Sequence, residues 1–145
     1  MKQLSNIYLF IGGIISYFIS IVHLIAILIG PQAYDFLDAP ELANLHLDGS
    51  MFPTILTSIL TITFFIFGCY GLSGAGIIKK LPAQSIILKI IATLYTLRGC
   101  FTFVFLTLYI SHSPLAKLRE IYFSLFALCT GIIYFIGIYQ ANDKK

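Results

Sequence analysis

Ile7-Tyr-Leu-Phe-Ile-Gly-Gly-Ile-Ile-Ser-Tyr-Phe-Ile-Ser-Ile-Val-His-Leu-Ile-Ala-Ile-Leu-Ile-Gly30 is the stretch that decides the fold. Apart from Ser16, Ser20, His23 and two tyrosines, every residue in it is apolar or small. At the α-helical rise these 24 residues reach ~36 Å, enough to cross ~30 Å of hydrocarbon. The stretch is too long for the apolar core of a secretory signal, and no A-x-A-like cleavage site follows it, so it is read as a retained membrane span. Outward from it the same pattern recurs. Further spans are expected from about Phe52 to Leu72, Ser85 to Ile110 and Ile121 to Tyr139, punctuated by Pro, Gly and charge. The four spans take up 90 of the 145 residues and contain no Asp or Glu.

The composition agrees. Hydrophobic residues make up 59% of the chain and charged ones 10%, against about 25% charged in a soluble domain. Fifteen charges cannot cover a soluble surface of this size. Backbone groups in lipid must be satisfied within their own segment, so the expected fold is all-α: a single integral membrane domain over residues 1–145, built as a four-transmembrane-helix bundle. No internal repeat, low-complexity tract or soluble domain is visible.

Lys2, Lys79, Lys80, Lys144 and Lys145 fall on one side of such a bundle, and Lys117 and Arg119 on the other. Five against two places both termini in the cytoplasm of a cell whose inner membrane holds the chain. Tyr8, Tyr70 and Tyr139 then mark the inner boundary, and Tyr34, Tyr109 and Tyr122 the outer one, in a chain without Trp. The bases form no stripe and have no interleaved aromatics, so nucleic acid is not an expected partner.

The first outer loop, from Pro31 to Met51, holds four of the six acids (Asp35, Asp38, Glu41 and Asp48) and no base. Asp38, Pro40 and Glu41 read as N-cap, first-turn proline and capping-box acid, with Gly49 as the stop, which predicts a short acidic amphipathic helix near Ala39 to Asp48. Ala39, Leu42 and Leu45 share its apolar face.

Within the spans, Gly12, Ser16, Ser20 and His23 lie on one helical face, so His23 is expected to point into the bundle. Tyr95, Arg98, Thr102 and Tyr109 form a stripe on the third span, and Thr54, Thr57, Thr61 and Gly68 on the second. Arg98 is expected near the midplane, where an arginine costs roughly 2.5 to 3.5 kcal/mol and is normally buried and paired. With no carboxylate inside a span, its expected partners are backbone carbonyls, tyrosine hydroxyls, an acid of the outer loop or an anionic ligand. Lys89 lies on the opposite face and is free to snorkel. The resulting candidates for ligand binding are His23, Arg98, Glu41, Tyr95 and Thr61, at an outward-facing polar pocket closed by the acidic loop.

Other motifs carry less. Gly71-Leu-Ser-Gly74-Ala-Gly76 follows a membrane helix and lacks the Gly-Lys-Ser/Thr ending of a phosphate loop, so it reads as a helix cap and turn, with Pro82 opening the next segment. Cys69, Cys100 and Cys129 include no C-x-x-C pair and read as small apolar fillers. His23, His46 and His112 lack ligand-type spacing, so no metal and no cofactor is expected.

The runs Tyr34-Asp-Phe-Leu-Asp-Ala-Pro-Glu41, Gly49-Ser50 with Pro53 and Thr57, Tyr70-Gly-Leu-Ser-Gly-Ala-Gly76, Leu81-Pro82 and Tyr95-Thr-Leu-Arg98-Gly99 together resemble a group of small bacterial four-helix inner-membrane proteins of unknown function. The resemblance covers most of the chain. It implies the architecture and not a chemistry, and Asp-Ala-Pro before Glu41 departs from that group's more glycine-rich loop.

Three functions fit these readings. The first is a protein that, within the lipid bilayer, binds a small amphiphile, a lipid headgroup or a membrane-protein partner, with no enzymatic activity required. A membrane-embedded enzyme on a lipid-soluble substrate would use His23 as proton carrier and Arg98 to stabilise an anion. A small proton-coupled transporter is the third, though it should show broken helices or an intramembrane acid.

Overall fold

The computed structural model describes residues 6–111 and 115–143. The described chain is all-helical, in the order α1 (Ile7–Ile29), α2 (Pro31–Phe36), α3 (Pro40–Leu47), α4 (Phe52–Gly74), α5 (Gln84–Ser111) and α6 (Leu115–Asp143). Four of these are long and apolar enough to cross a membrane, with candidate spans Ile7–Ile29, Phe52–Gly74, Gln84–Val104 and Leu118–Ala141. The main shift from the sequence reading is at α6, which begins at Leu115 rather than near Ile121 and so takes Glu120 onto the helix. The side chains of Tyr109 and Lys117, together with Lys2, His112, Lys144 and Lys145, lie outside the described residues.

The chain divides into two compact units, Met1–Ile15 with Phe67–Lys145, and Ser16–Ile66. In the first, α1 starts on an N-cap that the apolar pattern did not reveal. Asn6 Oδ1 accepts from the Leu9 backbone N–H at 3.0 Å, and its amide donates to the Gly137 carbonyl of α6 at 2.7 Å. One buried side chain thereby satisfies an orphan helix donor and ties two helices together. Gly13 and Gly71 let the backbones of α1 and α4 touch: a β-carbon on Gly71 would stand 2.5 Å from the Gly13 α-carbon. Tyr95 stacks on Tyr134 at 5.9 Å and meets Phe67 edge-on at 6.0 Å between ring centroids, and Tyr134 is fully buried with its hydroxyl donating to the Phe67 carbonyl at 3.2 Å. Helices α5 and α6 run antiparallel, Gly99 against Leu128 and Gly131 against Thr96.

The turn from α4 to α5 confirms the glycine-rich run as a cap. Gly76 takes φ +80, its N–H donates to the Ser73 carbonyl at 3.1 Å, and Ile77 N–H reaches back to the Leu72 carbonyl at 3.0 Å. That is a Schellman stop, in which a residue in the left-handed region returns two donors to the helix end. The Ser73 hydroxyl then pins the connection by accepting from Leu81 N–H at 3.0 Å, with Lys79 O and Gln84 Oε1 within reach of its proton at 3.0 and 3.1 Å.

In the second unit the loop contains two helices rather than one. Pro31 opens α2, and the stop falls on Asp38, whose φ is +60. Asp38 N–H donates to the Asp35 carbonyl at 3.1 Å and Ala39 N–H to the Tyr34 carbonyl at 2.9 Å. Asp38 therefore ends α2 instead of capping α3. The N-cap of α3 is Ala39, with no side-chain bond, and the expected capping box does not form. Gly49 does stop α3, with φ +80 and the same pair of returning bonds.

The face of α3 that packs is also displaced. Ala43 is buried with Tyr34 and Ala26, flanked by Ala33, Leu37 and Leu42, whereas Leu45 is exposed. Tyr34, expected at the lipid boundary, is 1% exposed and serves as the anchor of this small core. Tyr122 and Tyr139 are exposed, and Tyr8 and Tyr70 are half-buried. Cys100 and Cys129 are exposed too, so they are not core fillers.

Candidate functional site

The stripe on α1 packs as its spacing requires. Ser16 and Ser20 are buried, and the Ser20 hydroxyl donates to the Thr61 carbonyl at 2.8 Å. Tyr17 meets Phe65 edge-on at 5.2 Å between ring centroids, and His23 lies against Phe64 at 5.1 Å. His23 Nδ1 stands 2.8 Å from the Ile19 carbonyl, which can only accept, so this nitrogen carries the proton. Thr61 returns its own hydroxyl to the Thr57 carbonyl at 2.8 Å. These contacts knit α1 and α4 within the Ser16–Ile66 unit, and they occupy most of the polar capacity of the stripe. Glu41, of the same unit, is exposed in the first turn of α3, where the N-terminal end of the helix dipole favours an acid.

Tyr95 and Arg98 belong to the other unit. Tyr95 is 5% exposed and stacked on Tyr134 at 5.9 Å, nearly parallel at 13°. It is part of the aromatic interior and does not open onto a site.

Arg98 differs from its expected state in two respects. Its side chain is 45% exposed rather than buried, and its partner is a carboxylate of α6. Nη2 donates to Glu120 Oε2 at 2.8 Å, and Nη1 to Ser124 Oγ at 2.6 Å. A fourth span starting near Ile121 would leave Glu120 in a connection; with α6 starting at Leu115, Glu120 falls in its second turn and reaches the arginine. The backbone of Arg98 lies thirteen residues before the end of α5 at Ser111. Pairing with the second turn of α6 draws the guanidinium along the α5–α6 seam toward the end where the two helices are joined. An arginine in a long apolar helix lowers its cost in this way, by extending its stem toward the polar boundary and meeting a partner there.

One turn further along α5, Thr102 is 9% exposed and its hydroxyl is buried without a hydrogen-bond partner among the described residues. A helical threonine ordinarily returns its hydroxyl to a carbonyl of the preceding turn, as Thr61, Thr63 and Thr130 do here. Arg98, Glu120 and Ser124 thus form a hydrogen-bonded cluster on two apolar helices, with Thr102 one turn from Arg98 on the same face of α5. The sequence carried a signal for it, the Tyr95–Arg98–Thr102 stripe, but not the α6 half. No protein-family model, no curated protein and no solved structure matches the chain.

Proposed function

We propose that this chain is a multi-pass inner-membrane protein with cytoplasmic termini that binds the polar end of a small amphiphile or a partner subunit at the Arg98–Glu120–Ser124 cluster. The exposure of Arg98 carries the reading. A guanidinium has five N–H donors; two are donated to Ser124 and Glu120, and 45% of the side chain stays accessible on a helix whose surroundings are apolar. Ionisable groups at such positions are expensive and mark function more often than packing. The distribution of loop lysine and arginine, five against two, supports the orientation. The resemblance to small bacterial inner-membrane proteins supports the location. In that orientation the cluster faces the outer leaflet.

The test is native mass spectrometry of the full chain extracted in mild detergent, compared with Arg98→Gln. The wild type is expected to carry a bound amphiphile or partner that the variant loses, while both keep the same far-UV circular dichroism. Identical spectra of bound species would overturn the proposal.

A further inference from the structure

The charge balance of the cluster narrows the ligand, on the premise that the cluster is a binding site at all. Arg98 and Glu120 bring one positive and one negative group to within 2.8 Å, at 45% and 23% side-chain exposure. An anion approaching Arg98 meets the Glu120 carboxylate, and a cation approaching Glu120 meets the guanidinium. A molecule that carries both signs meets neither penalty. We infer that the cluster takes a zwitterionic headgroup made of a phosphate and a primary ammonium, the phosphoethanolamine end of a membrane phospholipid. The phosphate accepts from the guanidinium N–H groups that Ser124 and Glu120 leave over, a pairing for which the planar fork of arginine is suited. The ammonium donates to Glu120 Oε1. The Thr102 hydroxyl, one turn from Arg98 and without a partner among the described residues, is buried against the helix and reaches the phosphate by a change of χ1 that turns it outward.

A lipid fits better than a soluble zwitterion because Leu97 and Phe101, within three residues of Arg98 on α5, and Leu125, next to Ser124 on α6, are large, exposed and apolar. They offer a surface for acyl chains next to the head. An electroneutral pair is also self-complementary across a twofold axis, so a second copy of this chain is the competing occupant. The recessed hydroxyl of Thr102 favours a small group over an opposing helix.

The experiment is delipidation of the full chain in detergent, followed by equal amounts of phosphatidylethanolamine, phosphatidylglycerol and phosphatidylcholine with matched acyl chains, read by native mass spectrometry. Phosphatidylethanolamine is expected to be retained about tenfold over the other two, the effect of one charge-assisted hydrogen bond, since phosphatidylglycerol has no ammonium and the choline group no N–H. Glu120→Gln should reverse the preference toward phosphatidylglycerol, Thr102→Val should weaken retention several-fold, and Arg98→Gln should abolish selectivity. If Arg98→Gln changes retention but the wild type prefers phosphatidylglycerol, or Glu120→Gln leaves the order unchanged, the zwitterion assignment is wrong and the binding site stands. If Arg98→Gln changes nothing, the site itself is wrong. A dimer that Arg98→Gln dissociates, with no lipid selectivity, assigns the cluster to a second copy and overturns the inference.

Discussion

Gly71→Ala should loosen the α1–α4 seam of the first unit, and its cost follows from the backbone geometry. The added β-carbon would stand 2.5 Å from the Gly13 α-carbon, 2.8 Å from the Gly13 nitrogen and 3.0 Å from the Leu9 carbonyl oxygen. Carbon atoms rest about 3.5–4.0 Å apart, so the helices must separate by about 1 Å, because all three obstacles are backbone and none can rotate away. A gap of that size forfeits roughly half of each dispersion contact it opens, and overpacking of this kind costs about 1–3 kcal/mol. The reciprocal change is milder: a β-carbon on Gly13 would meet its nearest atoms at 3.0, 3.1 and 3.2 Å. Gly71→Ala should therefore cost more than Gly13→Ala. The double variant should cost less than the sum, since the first separation relieves the second clash. The chain has no Trp, so unfolding is followed by far-UV circular dichroism during titration of dodecyl sulfate into mixed micelles. A Gly71→Ala protein within about 0.3 kcal/mol of wild type, or a reversed order of the two variants, would refute the reasoning.

Two further substitutions probe single polar groups with the same titration. Tyr34→Phe removes a hydroxyl that is buried without a partner among the described residues, and it should leave stability unchanged or raise it by about 1 kcal/mol; a loss of that size would show that the hydroxyl is bonded after all. Asn6→Ala removes both the cap on Leu9 and the bond to Gly137, for an expected cost of about 2 kcal/mol. Asn6→Ser keeps a capping oxygen but not the amide donor to Gly137 and should recover roughly half; a serine no better than alanine would show that the cap contributes nothing.

Apolar length and helical period made the four long helices legible, because a bilayer-spanning helix must be apolar over most of a 20-residue run. The small-residue stripe on α1 was legible for the same reason, and Ser16 and Ser20 are buried where it put them. Local stops were legible only where glycine supplied them. Gly49 and Gly76 end their helices as expected, but aspartate in the left-handed region at Asp38 looks in sequence like an N-cap, so one helix was read where two form. The consequence reaches Tyr34. Counted from a single loop helix it belongs at the lipid boundary, whereas the additional helix α2 turns it into the small core with Ala26 and Ala43. Asn6 was missed because a cap that also bridges to another helix has no signature in the neighbouring sequence.

The cluster at Arg98 shows how far a boundary error travels. Shifting the start of α6 from Ile121 to Leu115 moves no apolar residue out of place, and hydropathy is nearly indifferent to it. Yet the shift adds about two turns of helix and carries Glu120 from a connection onto the α5–α6 seam, which turns an arginine without a carboxylate into half of an ion pair. The two descriptions predict different chemistry. A lone midplane arginine calls for an anion, whereas the Arg98–Glu120 pair, at 45% and 23% side-chain exposure, sets a carboxylate beside any anion that the guanidinium attracts. Thr102 adds a donor that neither Glu120 nor Ser124 uses. The preference for a group of both signs therefore depends on a carboxylate only two residues into the candidate span that begins at Leu118, and Glu120→Gln, which removes that charge and little else, is the substitution on which it turns.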